Sequence, residues 1–83
     1  MTNAEILDGI TDIVREVLDD DALALSLDSS AADFPDWDSF KHITIVAATE
    51  MKFGVKFKTA EIESLKNIGD FVSLVSDKRG AQT

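Results

Sequence analysis

From residue 6 to residue 18, apolar side chains recur at helical spacing: Ile6, Leu7, Ile10, Ile13, Val14, Val17 and Leu18. Asp8, Asp12 and Glu16 take the other side. That period predicts an amphipathic helix over about residues 3–18. Thr2, followed three residues on by Glu5, is the capping-box pattern of a helix start. The run Asp19-Asp20-Asp21 marks its end, because aspartate is a weak helix former and three adjacent charges repel. The period then lapses until residue 38. Leu23, Leu25, Leu27 and Phe34 predict that this long connection is laid across a core, with a short turn of helix, rather than left disordered. Pro35, the only proline, suits the turn before the next element.

Helical spacing resumes with Phe40, Ile43, Ala47 and Met51, with Val46 beside them. These predict a second helix over about residues 39–52 with that stripe as its apolar face, stopped by Phe53-Gly54. Lys41, His42, Thr44, Thr49 and Lys52 then form the outward face. Val55, Lys56, Phe57 and Lys58 alternate as a strand would, but no second strand exists to pair with, so an extended linker is expected. Thr59 is expected to cap a short helix through about residue 64, turning Ile62 and Leu65 inward. Asn67 is expected to cap a last helix over about residues 67–77, with Asp70 near its positive end. Ile68, Phe71, Val72 and Val75 are its buried stripe, flanked by Leu74, and residues 80–83 are a tail. The pattern predicts an all-α fold over residues 1–83: a four-helix bundle of three main helices and one short one, with a long first loop.

Charge narrows the partners. The 83 residues carry a formal charge of −8, which disfavours nucleic acid because phosphates would be repelled. The distribution is uneven. Through residue 38 there are eleven acids and one base, Arg15, whereas residues 39–58 hold Lys41, Lys52, Lys56 and Lys58 against Glu50 alone. The chain has no cysteine, which fits a reducing compartment. Any thiol chemistry therefore needs a thiol from an added group. No basic stretch leading into an apolar run opens the chain, and no apolar run approaches the roughly 20 residues that span a bilayer. A cytoplasmic protein without a membrane span is expected.

Most catalytic chemistries lack their parts. One histidine, His42, without cysteine does not make a usual zinc site. The contiguous Asp19-Asp20-Asp21 run lacks the central glycine and terminal glutamate of a calcium loop, and no glycine-rich phosphate loop is present. Ser39, His42 and Asp38 compose a triad on paper, but nothing in the sequence supplies an oxyanion hole or a walled pocket. No metal and no catalytic residue are expected. Ser39 itself stands in the first turn of a helix, after a long loop, with Trp37, Asp38 and Phe40 around it. Unpaired amides and the positive dipole end there favour a phosphate.

Asp38-Ser39-Phe40, the apolar positions Ile43, Val46, Ala47 and Met51, and the stop Phe53-Gly54-Val55 closely resemble the phosphopantetheine attachment region of acyl carrier proteins. The helix order and length resemble that family over nearly the whole chain. The resemblance implies that a phosphopantetheinyl transferase moves 4′-phosphopantetheine from coenzyme A onto Ser39, with Asp38 assisting. It implies that the arm's thiol then carries an acyl or aminoacyl group for a loading enzyme and further pathway enzymes. Peptidyl and D-alanyl carriers share the layout, so an aminoacyl cargo stays open beside an acyl one. An unmodified helical interaction module is the alternative of another class.

Three departures from the family pattern bear on partners. Phe40 replaces the usual leucine. Trp37 stands where a small residue is common, and reads either as a hydrophobic lid on the loop or as a contact for the arm or a partner. The outward face of the second helix carries lysines where fatty-acid carriers present acids, so a partner selected for an acidic helix loses attraction. Asp36, Asp38, Glu61 and Glu63 offer a smaller acidic patch. A specialised, monomeric carrier is expected, with Trp37, Phe40, Lys41, His42, Thr44 and Glu61 as partner-facing residues.

Overall fold

The computed structural model describes residues 2–81. Its elements run α1 (Asn3–Leu18), a 3-10 turn (Ala31–Asp33), α2 (Ser39–Phe53), α3 (Thr59–Glu63) and α4 (Ile68–Ala81), with no strand among the described residues. α1 packs against both α2 and α4. α4 continues through Ala81, past the start expected for the tail. The rest of that tail, residues 82–83, lies outside the described residues.

α1 starts where the chain can satisfy its first amides. Thr2 Oγ1 accepts from the Glu5 N–H at 3.2 Å and the Glu5 carboxylate accepts from the Thr2 N–H at 2.9 Å. These bonds hold the Glu5 carboxyl below its ordinary range. The helix ends at Asp19, whose φ of 54° is left-handed, a conformation that aspartate tolerates better than most residues. Ile6, Ile10, Ile13, Val14 and Leu18 are buried, and Leu7 and Val17 pack partly against them. Gly9 is also buried, because the Phe53 ring lies on it. A Cβ there would stand 2.6 Å from Phe53 Cζ.

In α2 the buried face is not the expected stripe, although Val46, expected beside that stripe, is buried. Phe40, Ile43 and Met51 are 78%, 68% and 85% exposed, and Ala47 is exposed with them. The buried face is Ile45, Val46, Thr49 and Phe53. Thr49 belongs to the core rather than to the outward face. Its hydroxyl donates to the Ile45 carbonyl at 2.7 Å, so no unpaired polar group is buried. The helix has two apolar stripes, each at helical spacing, and only packing against α1 chooses between them. Because Met51 touches little, Met51→Gln is expected to change stability by less than about 0.5 kcal/mol in urea denaturation. A loss above about 2 kcal/mol, the size typical of a buried site, would contradict this placement.

The long loop is held as much by its backbone as by its side chains. Leu23 is buried and Leu25 and Phe34 are half-buried, but Leu27 is 49% exposed. Leu27 contributes its carbonyl instead, which accepts from the Gly69 N–H at 2.8 Å, while the Ser29 carbonyl accepts from the Ile68 N–H at 2.7 Å. Asn67 Oδ1 takes the Asp70 N–H at 2.8 Å, so the first amides of α4 are paired. Arg15 Nε donates to the Leu23 carbonyl, tying the loop to α1. Gly54, at φ 67°, closes α2. The linker then turns Val55 inward and Lys56 outward, with Phe57 edge-on to Phe71 at 5.7 Å.

At α3 the cap differs from the expected one. Lys58, not Thr59, is the capping residue, and its N–H donates to the Glu61 carboxylate at 2.8 Å. The same carboxylate pairs with Lys78 of α4 at 2.8 Å. The Lys78 contact first, then the Lys58 amide, holds the Glu61 carboxyl below its ordinary range.

Candidate functional site

The loop and α2 meet at Trp37-Asp38-Ser39. Asp38 is the N-cap, and its Oδ1 accepts from the Lys41 N–H at 2.8 Å. That leaves Ser39 as the first helical residue, exposed, with the helix dipole behind it. Among the hydrogen bonds of the described residues, the amides of Ser39 and Phe40 have no protein acceptor. An exposed hydroxyl beside two free first-turn amides fits a phosphodiester, whose anionic oxygens those amides can meet. Two carboxylates oppose an anion locally: Asp38, which the Lys41 amide engages, and Glu63 across the groove.

Ser39 opens onto a groove lined by Ala31, Trp37, Asp38, His42, Ile43 and Glu63. Behind it, a pocket of about 50 Å³ is lined by Ser30, Ala31, Trp37, His42, Leu65, Lys66, Asn67, Ile68 and Phe71. Ala31, Trp37 and His42 line both spaces and form the wall between them. Trp37 Nε1–H donates to His42 Nδ1 at 3.2 Å, and Trp37 is tilted against Phe34 with ring centroids 6.1 Å apart. Burial lowers the His42 pKa below the ordinary histidine range.

This arrangement dissolves the paper triad. His42 Nδ1 accepts from an indole and the Asp38 carboxylate accepts from a backbone amide, so the link between acid and histidine is missing.

The other expected partner-facing residues divide. Phe40 and Thr44 are exposed and Lys41 is half-buried. The Thr44 hydroxyl donates to the Phe40 carbonyl at 3.1 Å. Trp37 is 8% exposed, an inner wall rather than a surface contact. His42 is half-buried rather than solvent-facing. Glu61 is committed to Lys58 and Lys78 within the fold. Glu50 is engaged as well, accepting from the Phe57 N–H at 2.8 Å. Ile43 and Met51 join Phe40 on the outer surface. The sequence contained these residues but gave them the wrong side, because two apolar stripes compete on one helix.

Comparison with known proteins agrees with this geometry. The family described as "Phosphopantetheine attachment site" matches residues 8–75. The acyl carrier protein of Renibacterium salmoninarum is 41% identical over 75 residues, covering 90% of this chain and 93% of that one. The meromycolate extension acyl carrier protein of Mycobacterium leprae is 32% identical over 75 residues, covering 90% of this chain and 65% of that protein. The solution structure of the holo acyl carrier protein from Geobacter metallireducens superposes with a TM-score of 0.85 at 38% identity, covering 92% of this chain and 87% of that one.

Proposed function

This chain belongs to the acyl carrier proteins that bear a phosphopantetheine attachment site, and from that membership we propose that Ser39 holds the arm and that the outward face of α2 selects the enzymes of a specialised lipid or polyketide-type pathway. As a member of the family the chain carries acyl groups on a covalent 4′-phosphopantetheine and catalyses no step itself. The arm supplies the terminal thiol that a cysteine-free chain lacks, and the acyl group rides on it as a thioester.

The observation that carries the assignment is the position of Ser39. Its hydroxyl is exposed, opens onto a groove and stands beside two free amides at the head of α2. Asp38, also exposed, is the residue beside it through which a transferase would recognise the site. Intact mass, before and after incubation with coenzyme A, magnesium and a broad-specificity phosphopantetheinyl transferase, tests the reading. A single phosphopantetheine-sized gain supports it. A folded, previously unmodified sample that gains nothing refutes it.

The specialised pathway is supported by the surface of α2. Phe40, Ile43, Ala47 and Met51 are its exposed apolar centre, with Thr44 among them and Lys41 and Lys52 along one flank. Enzymes that dock on acidic carriers meet the wrong charge here. The double substitution K41E/K52E is expected to raise kcat/KM several-fold with a fatty-acid synthase enzyme of basic docking face, measured at low salt. Unchanged transfer rates would remove the lysines from partner choice. The cysteine-free chain fits a reducing compartment, and the proposal places it in the cytoplasm as a monomer. No helix among the described residues is long and apolar enough to cross a membrane.

A further inference from the structure

An indole N–H donates and never accepts. The hydrogen bond from Trp37 Nε1 therefore requires a lone pair on His42 Nδ1. Neutral His42 must carry its proton on Nε2. The buried Trp37, packed on Phe34, also limits rotation of the imidazole.

Nε2 has no protein partner among the described residues. No unpaired side-chain nitrogen or oxygen of a non-exposed residue is sealed from solvent there either, so Nε2 keeps some contact with solvent. His42 lines the groove that holds Ser39 and lies three residues after it on α2, the spacing at which helix side chains are neighbours.

We propose that His42 is a positioning residue for the arm, donating from Nε2 to the phosphodiester on Ser39 while Trp37 holds its Nδ1. This inference rests on Ser39 being the attachment site. Its consequence is orientation: the hydrogen bond limits where the arm leaves the groove and keeps its first atoms against the Trp37 wall.

The bond is linked to pH. The titratable groups around His42 are Asp38, the N-cap of its helix, Lys41, its neighbour on α2, Glu63 of α3 across the groove, and Lys66 across the inner pocket. Burial favours the neutral ring without the arm. A phosphodiester at Nε2 adds a permanent negative charge and favours the protonated ring. Protonation places a second donor opposite Trp37 Nε1–H, so the Trp37 bond is lost as the pH falls through the His42 pKa.

The chain has one histidine and the loaded form carries one phosphodiester, which makes both signals unambiguous. The experiment loads the protein enzymatically, verifies loading by intact mass, and titrates unloaded and loaded forms by NMR of the imidazole and by 31P NMR of the arm. The expected result is a His42 pKa higher in the loaded form by about half a unit or more. The 31P resonance should inflect at that same pH and lose the inflection in His42→Gln, whose amide can still accept from Trp37. Full loading with an unchanged His42 pKa, or with a flat 31P shift, overturns the role of His42 alone. Failure to gain mass overturns the Ser39 assignment, and this inference with it.

Discussion

Ser39→Ala gains no phosphopantetheine, while the wild-type chain gains one, when both are incubated with coenzyme A, magnesium and a transferase and read by intact mass. The transfer forms a phosphodiester at the Ser39 oxygen, and the substitution removes that oxygen. No neighbour can replace it. The Thr44 hydroxyl faces back to the Phe40 carbonyl, and Ser30, the N-cap of the 3-10 turn, lines the inner pocket rather than the groove. The fold is expected to survive. Ser39 is exposed, and the N-cap function belongs to Asp38, so the change in stability should stay within about 0.5 kcal/mol. Modification of the alanine variant at another residue would show that the head of α2 is not the attachment point.

Ile10→Ala is expected to have the largest effect on stability. Ile10 is fully buried on α1, the helix that packs against both α2 and α4. Truncating such a side chain removes its transfer free energy and leaves a cavity, at a cost of about 2–5 kcal/mol. A small domain holds only about 5–15 kcal/mol in total, and no disulfide supplements it here. Since 1 kcal/mol shifts the melting temperature of a chain this size by about 4–8 °C, a fall of roughly 10 °C or more should appear in thermal circular dichroism. A fall of only a few degrees would mean that the α1 interface carries little of the stability. The contrast with Met51→Gln, on the exposed stripe of α2, separates core from surface among residues of similar hydrophobicity.

The site and the fold were legible to different degrees. The position of Ser39 was readable because a helix start is a local event: Asp38 before it, apolar spacing after it and Gly54 at the far end all lie within one segment. The role of His42 was not readable, because it depends on a hydrogen bond to a tryptophan on the loop side of the helix boundary. Glu61 looked available to partners for the same reason. Nothing near it in sequence announces Lys78, which α4 brings to 2.8 Å.

What the sequence by itself determined were the features encoded over one helix turn or one stripe. These are the capping box at Thr2 and Glu5, the single apolar faces of α1 and α4, the Asn67 cap and the Gly54 stop. Each is settled by neighbours three or four residues apart, so local physics suffices. Only the tertiary structure decided which stripe of α2 turns inward. Phe40, Ile43, Ala47 and Met51 satisfy helical spacing as well as Ile45, Val46, Thr49 and Phe53 do, and periodicity assigns no sign to a helix with two apolar faces. Packing broke the tie. α1 offers Gly9 as a seat for the Phe53 ring, and Thr49 can satisfy its own hydroxyl on Ile45. The stripe left outside became the surface beside Ser39.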